Sequence, residues 1–113
     1  MAVSNLEEQF EGLWVELFPA LDLHSEHRFH PVRRWRFDYA HLPSQVAIEL
    51  EGGVFRRGRH TRGAGYVKDC EKYLNAAALG WTVCRLATGM VTVENLELIA
   101  KTIEGRVAGT FQA

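Results

Sequence analysis

Residues 35–53, WRFDYAHLPSQVAIELEGG, have the pattern of a β-hairpin. Apolar residues alternate with other residues along two runs, on either side of the turn-forming sequence LPS: Trp35, Phe37 and Tyr39 before it, and Val46, Ile48 and Leu50 after it. A turn centred between Pro43 and Ser44 pairs Tyr39 with Ile48 and Phe37 with Leu50. One face of the hairpin is therefore predicted to be apolar.

The opposite face of this hairpin is predicted to carry charge. The same register places three pairs opposite each other: Asp38 and Glu49, Ala40 and Ala47, and Arg36 and Glu51. Cross-strand partners have Cβ atoms roughly 4.5–5.5 Å apart, and facing carboxylates repel each other unless a cation or a proton lies between them. We therefore expect a cation or a proton between Asp38 and Glu49.

Length and composition indicate one folded domain. The chain has 113 residues, of which 47% are hydrophobic, enough for a single modest core. No apolar run approaches the roughly 18–20 residues of a membrane span, and the N-terminus lacks a signal pattern. We expect a cytoplasmic protein without a membrane partner. Cys70 and Cys84 lack CxxC spacing and are expected to be buried free thiols.

The net charge of −1 hides an uneven distribution. Residues 1–27 carry six acidic residues and no Lys or Arg, whereas residues 28–72 carry ten basic and five acidic residues. A basic zone in a nearly neutral protein suggests a polyanionic partner held locally. Ordinary surface arginine explains the distribution equally well.

Helical periodicity predicts three helices around this hairpin. The first spans about residues 5–18, with a capping box formed by Ser4 and Glu7. The second spans about residues 66–79, and the third begins after Thr92 as its cap. Their predicted buried stripes are Leu6, Phe10, Leu13, Trp14 and Leu17; Tyr66, Cys70, Tyr73 and Ala77; and Leu96, Ile99, Ala100 and Ile103.

A further strand is predicted at residues 81–86, before the last helix. This order of elements indicates an α/β or α+β domain with a small mixed sheet flanked by helices. Residues 20–31 are expected to form a loop and an extended segment. His24, His27 and His30 would diverge there, which makes zinc binding an unfavoured interpretation.

Residues 52–65, GGVFRRGRHTRGAG, combine glycine with arginine after the hairpin. Arg59 and His60 stand where a P-loop needs Lys and Ser or Thr, so we exclude a P-loop. Arginine makes bidentate contacts with phosphate. The residues expected to contact a phosphate backbone are Arg56, Arg57, Arg59, Arg62 and Lys68.

Facing carboxylates are natural ligands of Mg²⁺, which prefers oxygen donors. A metal bound there could polarise a phosphoryl oxygen and supply a hydroxide nucleophile, and a lysine could stabilise the developing charge. Asp38 and Glu49, with Lys72 or Lys68 on the following helix, meet the requirements of metal-dependent phosphodiester hydrolysis. The alternative is a surface hairpin whose charges only pair with one another.

The spacing of these residues resembles the PD-(D/E)XK nuclease superfamily. The resemblance rests on Asp38, Glu49-x-Glu51-Gly-Gly, His60, Asp69-x-x-Lys72 and Gly80-Trp81-x-Val83-x-Arg85. It is strongest to very-short-patch-repair-like endonuclease domains and to a second family of small endonuclease domains from bacteria and phages. The resemblance implies a restriction-endonuclease-like fold, dependence on Mg²⁺ with Mn²⁺ able to substitute, and cleavage of DNA.

By this resemblance, Asp38 and Glu49 are expected to bind the metal, with Glu51 or Glu7 assisting. His60 matches a histidine that follows the acidic strand. The chain departs from the motif at Glu51, where the family has lysine. Three explanations stay open: the lysine has moved to the helix, with Lys72 favoured over Lys68; the site uses His60 and a second metal; or the site is inactive.

The expected function is a Mg²⁺-dependent endodeoxyribonuclease. With no room for a recognition domain, specificity would come from loops, a homodimer or DNA structure such as a branch, mismatch or nick. The rival hypotheses are a non-catalytic nucleic-acid-binding subunit and an RNA-directed nuclease. Four aromatic residues that could stack on bases fit core packing better: Trp35, Tyr66, Tyr73 and Trp81.

Overall fold

A mixed β-sheet with helices on both of its faces organises the protein. The computed structural model describes residues 5–52 and 62–109, with Arg62 described by its backbone alone. In chain order, the described elements are α1 (Leu6–Leu17), β1 (His24–Arg28), β2 (Arg36–His41), β3 (Val46–Glu51), α2 (Arg62–Ala78), β4 (Thr82–Ala87) and α3 (Val93–Ala108). They form a single α+β domain, which confirms the mixed sheet flanked by helices that the sequence predicts.

The four strands lie in the order β1-β2-β3-β4. β1 pairs with β2 and β2 with β3 in antiparallel fashion, whereas β3 and β4 are parallel. A parallel pair needs a crossover, and the chain between β3 and β4 contains α2. The predicted hairpin register is confirmed near the turn, where Tyr39 pairs with Ile48 and Ala40 with Ala47, but the described ladder does not extend to the predicted pairs of Phe37 with Leu50 and Arg36 with Glu51.

The larger hydrophobic core lies between the sheet and the helices α1 and α3. From the helices, Phe10 and Trp14 enter it together with the predicted stripe of α3. From the sheet, Tyr39, Val46 and Ile48 enter it. Phe10 is fully buried, and burying a side chain of this kind contributes about 1.5–3 kcal/mol. The helical stripes predicted for α1 and α3 are therefore confirmed.

A smaller core lies on the α2 face of the sheet. Its buried members are Phe37, Ala47 and Ala76, and Phe29, Trp81 and Val83 pack against them. Successive strand residues point to opposite faces. Ala47 therefore lies on the face opposite to its neighbours Val46 and Ile48.

Phe37 does not share a face with Tyr39, contrary to the prediction. The Phe37 ring stacks on Phe29 at 4.1 Å between centroids, whereas the Tyr39 ring packs against Phe10 at 4.9 Å. Alternation therefore reverses at Asp38, which lies between them. The strand pairing of β1 with β2 omits Glu26 and Asp38, and Glu26 has a φ of +53°. Local backbone geometry thus overrides the period of two.

The α1 cap and the α2 packing also differ from the predictions. Asn5, and not Ser4, caps α1, because its side chain accepts a hydrogen bond from the Glu8 amide at 2.7 Å. Glu7 is thus not the capping acid. On α2, Tyr66 is 68% exposed and Cys70 is exposed, because the helix packs on the sheet through Ala76 instead.

Two further expectations change. Cys70 and Cys84 are both free thiols, as expected. Cys84 is half-buried, but Cys70 is exposed, so the predicted burial of Cys70 is wrong. The segment expected to be a loop contains β1, an edge strand in which His24 and His27 lie. Its sequence, HSEHR, lacks apolar alternation because its side chains are mostly exposed. No helix in the described ranges is long and apolar enough to cross a membrane.

The end of α3 is tied to the sheet by Arg106. Its guanidinium donates hydrogen bonds to the Ser44 carbonyl at 2.5 Å, the Gly80 carbonyl at 2.7 Å and the Thr82 hydroxyl at 3.0 Å. One side chain therefore joins α3 to the hairpin turn and to the start of β4. The planar fork of arginine suits three acceptors held in fixed positions.

Candidate functional site

Asp38 and Glu49 hold β2 and β3 together where regular strand pairing stops. The backbone amide of Asp38 donates to Glu49 Oε2 at 2.9 Å, and the Leu50 amide donates to Asp38 Oδ2 at 2.7 Å. The last residue pair in the β2–β3 ladder at this end is Tyr39 and Ile48. The two carboxylates therefore satisfy backbone donors next to the end of the described ladder.

Two side chains from α2 meet the other oxygen of Glu49. The Lys72 ammonium and the Tyr73 hydroxyl each donate to Glu49 Oε1 at 2.8 Å. Glu49 is only 6% exposed, and a buried carboxylate needs such partners. Burial, followed by the charge and hydrogen bond of Glu49, raises the pKa of Tyr73. The Tyr73 hydroxyl therefore stays protonated and acts as a hydrogen-bond donor.

The two carboxylates differ in how many positions remain for a ligand. A carboxylate offers about four lone-pair positions. Glu49 uses three of them, on the Asp38 amide, Lys72 and Tyr73. Within the described part of the chain, Asp38 accepts one hydrogen bond, from Leu50. Counting the described contacts alone, Asp38 keeps more lone-pair positions for a further partner than Glu49 does.

The Asp38 carboxylate also lies near two further acidic side chains, one from α1 and one from β1. One carboxylate oxygen each from Glu7 on α1, Glu26 on β1 and Asp38 lie within 4.8 Å of one another. Glu7 and Glu26 are exposed, and Arg36 approaches Glu26 Oε1 at 3.4 Å. Glu26, one of these three acids, has a left-handed backbone conformation. Asp38 therefore lies between an exposed acidic group and the Glu49–Lys72 pair.

Glu51 lies two residues after Glu49 and has a different partner. Arg85 on β4 donates from Nε to Glu51 Oε2 at 3.1 Å, and its guanidinium lies 4.7 Å from the centre of the Tyr73 ring. This hydrogen bond with Glu51 raises the pKa of Arg85. Arg36, expected opposite Glu51, contacts Glu26 instead. The structure therefore groups Glu51 with Arg85, and not with Asp38.

The remaining predicted residues fall into two groups. Lys68 lies one turn before Lys72 and lines a surface depression with Arg33, Arg34 and Trp35. Residues 53–61 of the arginine–glycine segment lie outside the described residues, with Arg56, Arg57, Arg59 and His60 among them, as does the side chain of Arg62. Of the two candidate lysines, Lys72 is the one that contacts Glu49.

Three residues of this region had no role in the sequence prediction. Glu26 was missed because β1 was not recognised as a strand. Tyr73 was assigned to the core, although its position directly after Lys72 was a usable signal. Arg85 belonged to the quoted motif without a function. Arg85 lies opposite Glu49 in the parallel β3–β4 ladder and donates to Glu51. Both contacts depend on the crossover connection between β3 and β4, which a single sequence does not specify.

Searches of family models, of curated proteins and of solved structures gave no significant match to this chain.

Proposed function

We propose that the protein is a metal-dependent endodeoxyribonuclease of the PD-(D/E)XK type, with a restriction-endonuclease-like fold. One observation carries this proposal: Lys72 on α2 donates to Glu49 on β3 at 2.8 Å, and Glu49 also accepts from the backbone amide of Asp38 on β2, whose own carboxylate lies beside Glu7 and Glu26. Phosphodiester hydrolysis needs such a combination of oxygen ligands and a cation. Lys72 offers the ammonium group that the family motif places at the position of Glu51.

The donor set fits a hard divalent cation. Mg²⁺ takes oxygen ligands, keeps several waters and is commonly held by one or two carboxylates. Asp38 would be the principal ligand, because it has more lone-pair capacity than Glu49. Glu49 would contribute its remaining position, and Glu7 or Glu26 would assist. When bound, Mg²⁺ or Mn²⁺ would supply a polarised phosphoryl oxygen and a water of lowered pKa.

The other residues act by positioning and by charge. Lys72 holds the Glu49 carboxylate in place and presents a positive charge to a phosphate. Tyr73 keeps its proton and fixes Glu49 from the same side, so that the carboxylate cannot rotate freely. Arg85 neutralises Glu51, which otherwise would add a second negative charge to β3 beside Glu49.

Cleavage by purified protein of linear, supercoiled, branched and nicked DNA, with Mg²⁺, Mn²⁺ or EDTA, tests the proposal. An RNA of matching sequence tests the RNA-directed alternative. Asp38→Asn and Glu49→Gln should abolish metal-dependent cleavage, whereas Glu97→Gln, at an exposed position of α3, should not. Equal cleavage by Asp38→Asn and wild type would refute the assignment.

One observation favours a second function, a catalytically inactive nucleic-acid-binding subunit. The Glu49 carboxylate is occupied by three donors from the protein itself, as expected of a structural carboxylate. DNA binding that needs no metal, without cleavage of any substrate, would support this second function. It would also identify the Glu51–Arg85 pair as a structural replacement of the motif lysine.

We also propose that the protein forms a homodimer through α2. Three large apolar side chains on this helix, Tyr66, Val67 and Leu74, are 68%, 61% and 73% exposed. Cys70, between Val67 and Leu74, and Ala77, one turn after Leu74, are exposed as well. An exposed apolar face on one helix is typical of an interaction surface, and most soluble oligomers pair such a face with the same face of a second copy.

A further inference from the structure

A column of stacked planar groups runs along the α2 face of the sheet. It begins at Phe37, whose ring stacks on Phe29 with an interplanar angle of 7°. Phe29 stacks in turn with Trp35 at 13° and 6.2 Å between centroids. The guanidinium of Arg33 covers the Trp35 ring at 4.0 Å from its centroid. The column therefore ends in a planar cation.

The outer end of this column lies in a positively charged depression. The depression is lined by Arg33, Arg34 and Lys68, with Glu71 as its acidic member. Glu71 approaches Arg33 at 3.8 Å, and both side chains remain about half exposed. Three cations against one anion leave a net positive charge in an open concavity. A polyanion is the ligand that this charge favours.

The inner end of the column reaches the candidate active site. The Lys72 ammonium lies 5.8 Å from the centre of the Phe37 ring and 2.8 Å from Glu49. Phe37 also directly precedes Asp38 in β2. A ligand in the depression would therefore lie at the opposite end of the aromatic column from Lys72 and Glu49.

We propose that this depression binds an unpaired nucleotide of the nucleic-acid substrate. Its base stacks on the exposed plane of the Arg33 guanidinium, and its phosphates contact Arg34 and Lys68. Guanidinium planes and aromatic rings are common stacking surfaces for unstacked bases, and arginine and lysine bind phosphate. This inference rests on the proposed function. It narrows the substrate class to single strands and to duplexes with an unpaired segment.

Binding of a base at Arg33 is favoured by the small loss of side-chain freedom that it requires. The contact between the Arg33 guanidinium and the Trp35 ring restricts the guanidinium, so that binding a base orders few further degrees of freedom. A base within a regular duplex already stacks on its neighbours and cannot present its face to Arg33. Selectivity for unpaired nucleotides follows from this stacking, without any hydrogen bond to a base edge.

Binding measured in EDTA separates this inference from catalysis. Fluorescence anisotropy would compare labelled single-stranded DNA, single-stranded RNA of the same sequence, blunt duplex, and duplex with a single-stranded flap. A single strand containing abasic sites would test the stacking. The variants are Arg33→Ala, Arg33→Lys, Arg34→Ala and Lys68→Ala, with Lys101→Ala on α3 as the matched control.

Wild type should bind single strands and flaps more tightly than blunt duplex. Arg33→Ala should weaken binding to single strands about tenfold, in the range for loss of one stacked base. Arg33→Lys should recover little of that loss, because lysine keeps the charge without the plane. On abasic DNA, Arg33→Lys should match wild type. Arg34→Ala and Lys68→Ala should each reduce the salt slope by about one.

Equal affinity for blunt duplex and single strand, or an Arg33→Ala affinity equal to that of Lys101→Ala, would overturn the inference. Tighter binding of RNA than of DNA would name RNA as the source of the unpaired nucleotide. Cleavage is the separate readout: preserved binding preference without any cleavage rejects the nuclease, whereas metal-dependent cleavage with no effect of Arg33→Ala rejects the stacking site.

Discussion

The backbone amide of Asp38 donates to the carboxylate of Glu49, so these two acids from neighbouring strands are joined and not merely adjacent. Sequence alone places them face to face as repelling charges. The fold reduces the repulsion by giving each carboxylate a backbone donor, and by giving Glu49 the ammonium of Lys72. The pair is therefore compatible with a stable fold even before any metal binds.

Lys72→Met should destabilise the protein strongly. The substitution leaves the Glu49 carboxylate buried without its cation, which costs about 3 kcal/mol or more for a buried pair. Glu49→Gln combined with Lys72→Met should lose less stability than the sum of the two single variants. Urea unfolding in EDTA measures these values. Strict additivity would show that the Lys72–Glu49 contact contributes no coupling energy.

Divalent metal should stabilise the folded protein through Asp38. At a metal concentration about 100-fold above Kd, the gain is about 2.7 kcal/mol, which raises Tm by on the order of 10 °C. Thermal unfolding with Mn²⁺ or EDTA measures this shift. Asp38→Asn should remove it, Glu26→Gln should reduce it, and Glu97→Gln should preserve it. A shift that persists in Asp38→Asn would place the metal elsewhere.

Stability should fall with acid because of His41. Burial lowers the pKa of His41, although Asp22 acts in the opposite direction. Below pH 6.5 the unfolded state then binds more protons than the folded state, so stability is complete above that pH and is lost as the pH falls towards the folded pKa. His27, with its pKa lowered by burial and by His24, adds to the same trend.

The His41 contribution can be isolated by Tm measurements between pH 5 and pH 8. His41→Asn should flatten the pH dependence while lowering Tm at pH 8, because it alters the 2.8 Å contact with the Ser44 hydroxyl. Adding His27→Gln should flatten it further. An unchanged slope in His41→Asn would assign the acid sensitivity to other groups.

Arg106→Met should destabilise the protein by about 2–4 kcal/mol. The variant removes charge-assisted hydrogen bonds to Ser44, Gly80 and Thr82, and each such bond contributes about 1.5–3 kcal/mol when intact, less where water replaces it. Arg106→Lys should recover only part of this, since one ammonium cannot match the fork. Urea unfolding decides the question. A change in unfolding free energy within 0.5 kcal/mol of zero, the usual range for surface substitutions, would mean that the hydrogen bonds of Arg106 do not stabilise the fold.

Leu74→Glu should convert the proposed dimer to a monomer. Leu74 is exposed in the single chain, so the substitution should leave folding unchanged while placing a charge in the α2 interface. Light scattering after size-exclusion chromatography measures the mass. Leu98→Glu, at an exposed leucine of α3, is the matched control. A wild-type monomer at high concentration would reject the dimer.

The hairpin was predictable because its information is local. Alternation on both sides of LPS determines the register at Tyr39 and Ile48. The position of Phe37 was not predictable, because the reversal at Asp38 depends on Glu26 and on contacts with Glu49 and Leu50. Periodicity reports only the sequence of apolar and polar side chains. It carries no information on the carboxylates of Asp38 and Glu49, which here replace part of the backbone hydrogen bonding between the strands.

The contacts of the candidate site residues were predictable only in part. Asp38, Glu49 and Lys72 were chosen from residue type and spacing; Lys72 and the Asp38 backbone amide both donate to Glu49, whereas the Asp38 carboxylate lies beside Glu7 and Glu26. Glu26 could not be found without β1, an exposed edge strand with little apolar pattern. For α2, periodicity identified an apolar stripe but could not tell that the sheet would cover a different side of the helix.

Because the alternation of side chains reverses at Asp38, β2 contributes to both hydrophobic cores. On one side of Asp38, Tyr39 belongs to the main core with α1; on the other, Phe37 belongs to the aromatic column beneath Arg33. Among the described residues, the two cores share no buried residue. A substitution at Phe37 therefore alters the aromatic column without removing a side chain from the larger core.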